Sequence, residues 1–124
     1  MIYEETDERF YVAESTIPGA GVGLFAKIDM ATGERLAVIG ALVKSGSVSD
    51  QATSYADEYK LRVGDLLLIP LGYAGLVNHS SEPNLEKQIE GEELYLRLTK
   101  PVAAGEELFF AYSEYARQRY GIPG

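Results

Sequence analysis

The sequence has no cysteine, no tryptophan and a single histidine in 124 residues. Without cysteine there is no disulfide framework, no thiolate nucleophile and no zinc knuckle. One histidine excludes a multi-histidine metal centre, and no metal is expected. Basic residues are also scarce: Lys and Arg number 11 against 19 Asp and Glu, for a net charge of -8. That balance disfavours a nucleic-acid partner, whose phosphates are neutralised by Lys and Arg. It suits a basic partner such as a Lys/Arg-rich peptide, although solubility alone would also account for it. Long hydrophobic runs are missing. The longest, residues 66–77, holds Pro70 and two glycines and falls short of the ~20 residues that span a bilayer. The opening Met1-Ile2-Tyr3-Glu4-Glu5 has neither the basic region nor the apolar core of a secretion signal. The expectation is an intracellular, cytoplasmic protein (nuclear, were the source eukaryotic or viral) without membrane contact.

What is present fits one folded domain over residues 1–124. The apolar fraction, 46%, is too high for a disordered chain. Nine tyrosines and four phenylalanines supply apolar rings, and each phenol needs a partner when buried. Turn signals recur every several residues, from Pro18-Gly19 and Thr32-Gly33 to Pro83-Asn84 and Gly105. Short elements between frequent turns indicate a mainly β fold. Strands are expected at residues 10–13, 23–26, 59–63 and 107–111, with a longer or bent strand at 34–43 and a buried run at 66–69. Residues 45–55 read as loop or short helix. In residues 93–99, Leu94, Leu96 and Leu98 alternate with Tyr95, Arg97 and Thr99, and Glu90-Gly91-Glu92 joins this strand to 86–89 as a hairpin. Only residues 114–120 look helical, with Ser113 as N-cap.

Three segments could carry chemistry. The first, Ser15-Thr16-Ile17-Pro18-Gly19-Ala20-Gly21-Val22-Gly23-Leu24-Phe25-Ala26, has glycines that let a ligand approach the backbone. It is not a dinucleotide fingerprint, because a strand rather than a helix follows the glycines. The second, residues 72–84, contains Asn78-His79-Ser80-Ser81-Glu82-Pro83-Asn84 and the lone histidine. A Ser–His nucleophilic pair is rejected: adjacent side chains diverge and no nucleophile elbow surrounds either serine. The third is Gly105-Glu106-Glu107-Leu108-Phe109-Phe110-Ala111-Tyr112. Each alone reads as an ordinary turn or strand end.

Together and in this order, the three segments resemble those of the SET-domain protein lysine methyltransferases over roughly residues 8–115. The G-x-G turn is a weak signal. Asn-His-Ser-x-x-Pro-Asn followed by Glu-Glu-Leu-x-x-x-Tyr is a strong one. The resemblance implies a mainly β fold of several small curled sheets with short helices, its C-terminal segment threaded as a pseudoknot. It implies S-adenosylmethionine as cofactor, held by Ala20, Gly21, Val22, Asn78, His79 and Tyr112, and Tyr112 as the catalytic residue. Lysine would enter from the opposite side through a narrow channel, with Tyr73 and Tyr115 as candidate walls. The implied activity is S-adenosylmethionine-dependent N-methylation of lysine in a basic, histone-like or ribosomal-type tail. The alternative is a non-catalytic peptide-binding module of the same fold. A third reading, a small cofactor-free β domain, requires the three motifs to coincide by chance.

Departures from the family pattern are specific. Zinc-binding cysteine clusters are absent, and Ser81 stands where cysteine is common. A lid must then come from residues 113–124, with Tyr115 and Tyr120 as candidates. Ala111 replaces a frequent aspartate, and Gly75 stands where arginine is usual. Gly40 stands where some members supply a channel tyrosine, which Tyr55, Tyr59 or Tyr73 could replace. Substrate choice is expected to rest on the domain's own groove, helped by Asp57, Glu58, Glu90, Glu92 and Glu93. A second copy of the chain is a further expected partner.

Overall fold

The structure is a computed structural model that describes residues 4–111. The expected helix at 114–120, the lid, Tyr112, Tyr115 and Tyr120 lie outside the described residues. Strands β1 (Phe10–Glu14) and β2 (Val22–Ala26) form an antiparallel ribbon, Phe10 opposite Ala26 and Glu14 opposite Val22. The remaining strands form one seven-stranded run. They are β3 (Arg35–Lys44), β4 (Leu61–Val63), β5 (Leu66–Leu71), β6 (Asn78–His79), β7 (Leu85–Glu90), β8 (Glu93–Leu98) and β9 (Phe109–Phe110), in the spatial order β4-β5-β3-β8-β7-β9-β6.

The long strand β3 explains how a set of small sheets becomes continuous. Its first half, Arg35 to Val38, pairs with β8, and its second half, Ile39 to Lys44, pairs with β5. At this changeover Gly40 lies opposite Pro70, and a Cβ there would collide with the Ile69 carbonyl. The close approach of two backbones therefore selects glycine, and a channel tyrosine has no room at this position.

Alternation in β8 places Leu94, Leu96 and Leu98 in the core with Leu24 and Leu108, all nearly inaccessible to water. The run at 66–69 is less buried than its composition predicts. It is interior by hydrogen bonding, with β4 and β3 on its edges, but only Leu68 reaches the core. Residues 45–60 hold the short helix α1 (Val48–Ala52), capped by the Ser47 hydroxyl accepting from the Asp50 amide, and a 3-10 turn at Ser54–Ala56. Strand β4 is shorter than expected, starting at Leu61 because Tyr59 and Lys60 are still bonded into the turn.

The expected strand at 107–111 is regular only at Phe109 and Phe110, because the segment changes partners. The Leu108 amide donates to the Leu24 carbonyl, and the Ala26 amide to the Glu106 carbonyl, tying this part to β2. One residue later, Phe109 and Phe110 pair in parallel with Asn78 and His79. Strand β9 thus lies between β6 and β7, the two strands that residues 80–84 connect. The connection also bonds to it: the Ser80 amide donates to the Phe110 carbonyl and the Asn84 amide to the Phe109 carbonyl. A late strand sits within the span of an earlier loop, the threading expected of a pseudoknot.

Candidate functional site

The site is organised by one buried carboxylate, Glu107. It accepts from the Ser15 hydroxyl at 2.8 Å, the Thr16 amide at 2.7 Å, the Thr16 hydroxyl at 2.6 Å and the Asn78 side-chain amide at 3.1 Å. The same Asn78 nitrogen donates to the Val22 carbonyl at 3.1 Å. Four donors therefore converge on one side chain that is 5% exposed. Burial pushes the Glu107 pKa up, but the Thr16, Ser15 and Asn78 hydrogen bonds outweigh it and hold the carboxyl below the usual glutamate range.

This cluster fixes the glycine turn. The Ser15 amide donates to the Gly21 carbonyl at 2.8 Å, closing residues 15–21 into a loop, and Glu107 caps its Thr16 amide. Gly21 has φ +77°, a left-handed conformation that favours glycine. Gly23 is required for a different reason: a Cβ there would run into the Glu107 carboxylate. Ala20, Gly21 and Val22 remain exposed, and nothing lies over the Cα of Gly19 or Gly21. The loop thus offers an open, uncharged backbone surface next to Asn78.

Asn84 performs the second anchoring task. It is buried, donates its side-chain amide to the Glu107 carbonyl at 3.0 Å and accepts from the Phe109 amide at 2.8 Å. One asparagine in each half of the second motif therefore grips the third motif. Sequence reasoning missed Glu107, Asn84, Ser15 and Thr16 as site residues. The available signal was a carboxylate set directly against the apolar run Leu108-Phe109-Phe110, which is costly unless the charge is paired.

A groove of about 400 Å³ opens on the other side of the same seam. It is lined by Tyr59, Leu61, Gly75, Val77, Phe110 and Ala111, with Glu58, Arg62 and Lys87 among its charged walls. Val77 is extended, so its side chain and that of Asn78 point to opposite faces. The glycine turn and the groove accordingly flank the segment 77–79 from two sides. Of the expected residues, Val22 and Asn78 are in direct contact, and His79 is paired with Phe110 on the same seam. Tyr73 is placed elsewhere: its ring stands edge-on to Phe10 at 6.0 Å and its amide donates to Glu5. Tyr59 lines the groove, whereas Tyr55 is exposed away from it. Of the five acidic residues expected to attract substrate, only Glu58 lines it. Asp57 binds Lys60, Glu90 binds Arg35 and Glu93 accepts from the Tyr95 hydroxyl.

A family model described as the SET domain matches residues 21–113. The chain belongs to the SET-domain family. Solved structures share the fold of this SET domain at low identity. A chain of ctPRC2, in an autoinhibited conformation bound to S-adenosylmethionine, superimposes with a TM-score of 0.75 at 20% identity, covering 94% of this chain and 17% of that one. A humanized mutant of the Chaetomium thermophilum Polycomb Repressive Complex 2 bound to an inhibitor gives 0.71 at 22% identity, covering 85% and 15%. A Plasmodium falciparum protein assigned as a histone methyltransferase gives 0.65 at 18% identity, covering 88% and 96%. This SET domain therefore spans a small part of the Polycomb chains and nearly all of the Plasmodium one. No curated protein matches the chain. Among the described residues, no group of three metal-ligating side chains occurs and no helix is long and apolar enough to cross a membrane.

Proposed function

We propose that this SET domain is an S-adenosylmethionine-dependent protein-lysine N-methyltransferase. The observation that carries the reading is the Glu107 cluster, whose hydrogen bonds join the glycine turn, the Asn-His strand and the third motif. The residues fit the cofactor: the turn presents exposed backbone at Ala20, Gly21 and Val22, and Asn78 and His79 border it, so polar uncharged groups can meet an adenine and an amino-acid end. When bound, the cofactor supplies an electrophilic methyl on a sulfonium.

The chain's own residues then align and exclude water. A lysine entering the groove passes Tyr59, Leu61 and Phe110, an apolar wall that disfavours the charged ammonium and lowers the pKa of the amine. Attack geometry held by such walls can be worth several kcal/mol. Tyr112, next in sequence after the groove residue Ala111, would orient the amine with its hydroxyl, and Tyr115 would belong to the lid. The substrate is read as a Lys-containing segment of an intracellular basic protein, of histone or ribosomal type. The whole chain, residues 1–124, acts as one domain, and pairing with a second copy is open to light scattering.

Radiolabelled methyl transfer to a mixture of basic proteins, alongside cofactor titration by calorimetry, tests the proposal. Labelling of lysine is expected, and Tyr112→Phe should reduce it by an order of magnitude or more while the cofactor still binds. Cofactor binding without transfer to any Lys-rich protein would instead favour a peptide-binding module.

A further inference from the structure

Lys87 stands in the groove with an amine that, among the described residues, no carboxylate holds. It lies on β7 two residues after Leu85, so the two side chains share one face of the strand. Leu85 pairs with Phe110, and Leu85, Lys87, Phe110 and Ala111 all line the groove. From Ala111 the chain runs directly into Tyr112. The amine is therefore mounted on the same groove lining as Phe110 and Ala111.

Its electrostatic surroundings differ from those of the other cations nearby. Lys60, also on the groove, is gripped by Asp50 at 2.7 Å and Asp57 at 2.6 Å. Arg97 pairs with Glu86 at 3.0 Å. Lys87 makes one hydrogen bond among the described residues, donating to the Arg62 carbonyl oxygen at 3.0 Å. Desolvation pushes its pKa down, and the Arg62 charge pushes it further. Lys87 is exposed, as are Lys27, Lys44 and Lys100, but those three lie outside the groove. Lys87 thus combines the two requirements of a methyl acceptor: residence in the groove and a lone pair that is more readily freed. Its single neutral hydrogen bond is weak enough to be exchanged for another position along the groove.

We propose that Lys87 is itself a methyl acceptor, modified in cis by the domain that carries it. This rests on the methyltransferase reading above. The ammonium first loses a proton to water. The Nζ lone pair then forms a bond to the methyl carbon of S-adenosylmethionine, the C–S bond breaks with its electron pair going to sulfur, and S-adenosylhomocysteine leaves. The product remains cationic but is bulkier and has fewer N–H donors, so it reshapes the wall that an incoming lysine must pass.

The test uses the full chain with S-adenosylmethionine bearing a deuterated methyl, followed by peptide mapping by mass spectrometry. Label is expected on Lys87 and not on Lys27, Lys44 or Lys100, at a rate per molecule unchanged by dilution. A cofactor-free readout is NMR titration of the chain labelled at lysine Cε, where the Lys87 signal should move at a pH below the ordinary lysine range. Lys87 titrating in the ordinary lysine range, label spread over Lys27, Lys44 and Lys100, or a rate that falls on dilution would overturn the inference. Transfer to added basic proteins separates it from the broader reading. If the chain binds cofactor and methylates basic proteins while never labelling Lys87, self-modification is wrong and the methyltransferase reading stands. If the chain transfers methyl to nothing, both fall.

Discussion

The leucine stripe of β8 and the Glu107 cluster lie in the same small fold and are held by opposite physics. Leu94, Leu96 and Leu98 are removed from water by packing on one sheet face, and their alternation alone decides their place. Glu107 is equally buried, yet it stays because four donors from two other segments aim at it. Packing is non-directional and roughly proportional to area. The carboxylate cluster depends on direction, and losing one partner leaves the others desolvated. The stripe therefore sets how stable the domain is, whereas the cluster sets whether the glycine turn and Asn78 have a fixed relation.

That contrast can be broken or sharpened by substitution. Leu96→Ala should have the largest effect on stability, about 3 kcal/mol from lost transfer and an unfilled cavity. Urea unfolding measures it, and calorimetry on the folded fraction should show cofactor affinity little changed. Glu107→Gln should cost less, about 2 kcal/mol, yet weaken cofactor binding more than tenfold, because the turn loses its anchor. Equal damage to affinity by both variants would erase the distinction. The third effect is acid sensitivity. Glu107 is held below the ordinary glutamate range, so near its titration the folded state binds fewer protons than the unfolded one. Its stabilising contribution is complete at neutral pH and is lost as the pH falls through and below about 4. Urea midpoints measured down the acid range should drop less steeply in Glu107→Gln than in the parent chain. Ser15→Ala is the smallest change, about 1 kcal/mol, and should weaken cofactor binding only a few fold.

The two regions also differ in how far the sequence reveals them. Strands β1, β2, β7 and β8 were legible because period-two patterning and turn residues are local signals. Residues 107–111 were only half legible, since their partner changes from β2 to β6 within two residues, and nothing local marks that change. Gly40 looked like a lost tyrosine, but the reason for glycine is a carbonyl on β5, distant in sequence. The motif residues Asn78 and Val22 were placed together by resemblance. Their linker Glu107 was overlooked because a carboxylate beside a turn reads as surface. Tyr73 and Tyr59 were indistinguishable as groove candidates, since only the fold decides which ring meets Phe10 and which meets the groove.

The tucked position of β9 has a consequence for how the chain comes into being. A ribosome delivers the glycine turn, the Asn-His strand and the leucine hairpin well before it delivers Glu107, so a growing chain holds those segments but lacks the piece that joins them. Pairings between such distant stretches are slow to find. Competence to hold a small molecule should then arrive abruptly once residues 107–112 have emerged, and chaperone protection over that interval would matter more for this domain than for one assembled from neighbours in sequence.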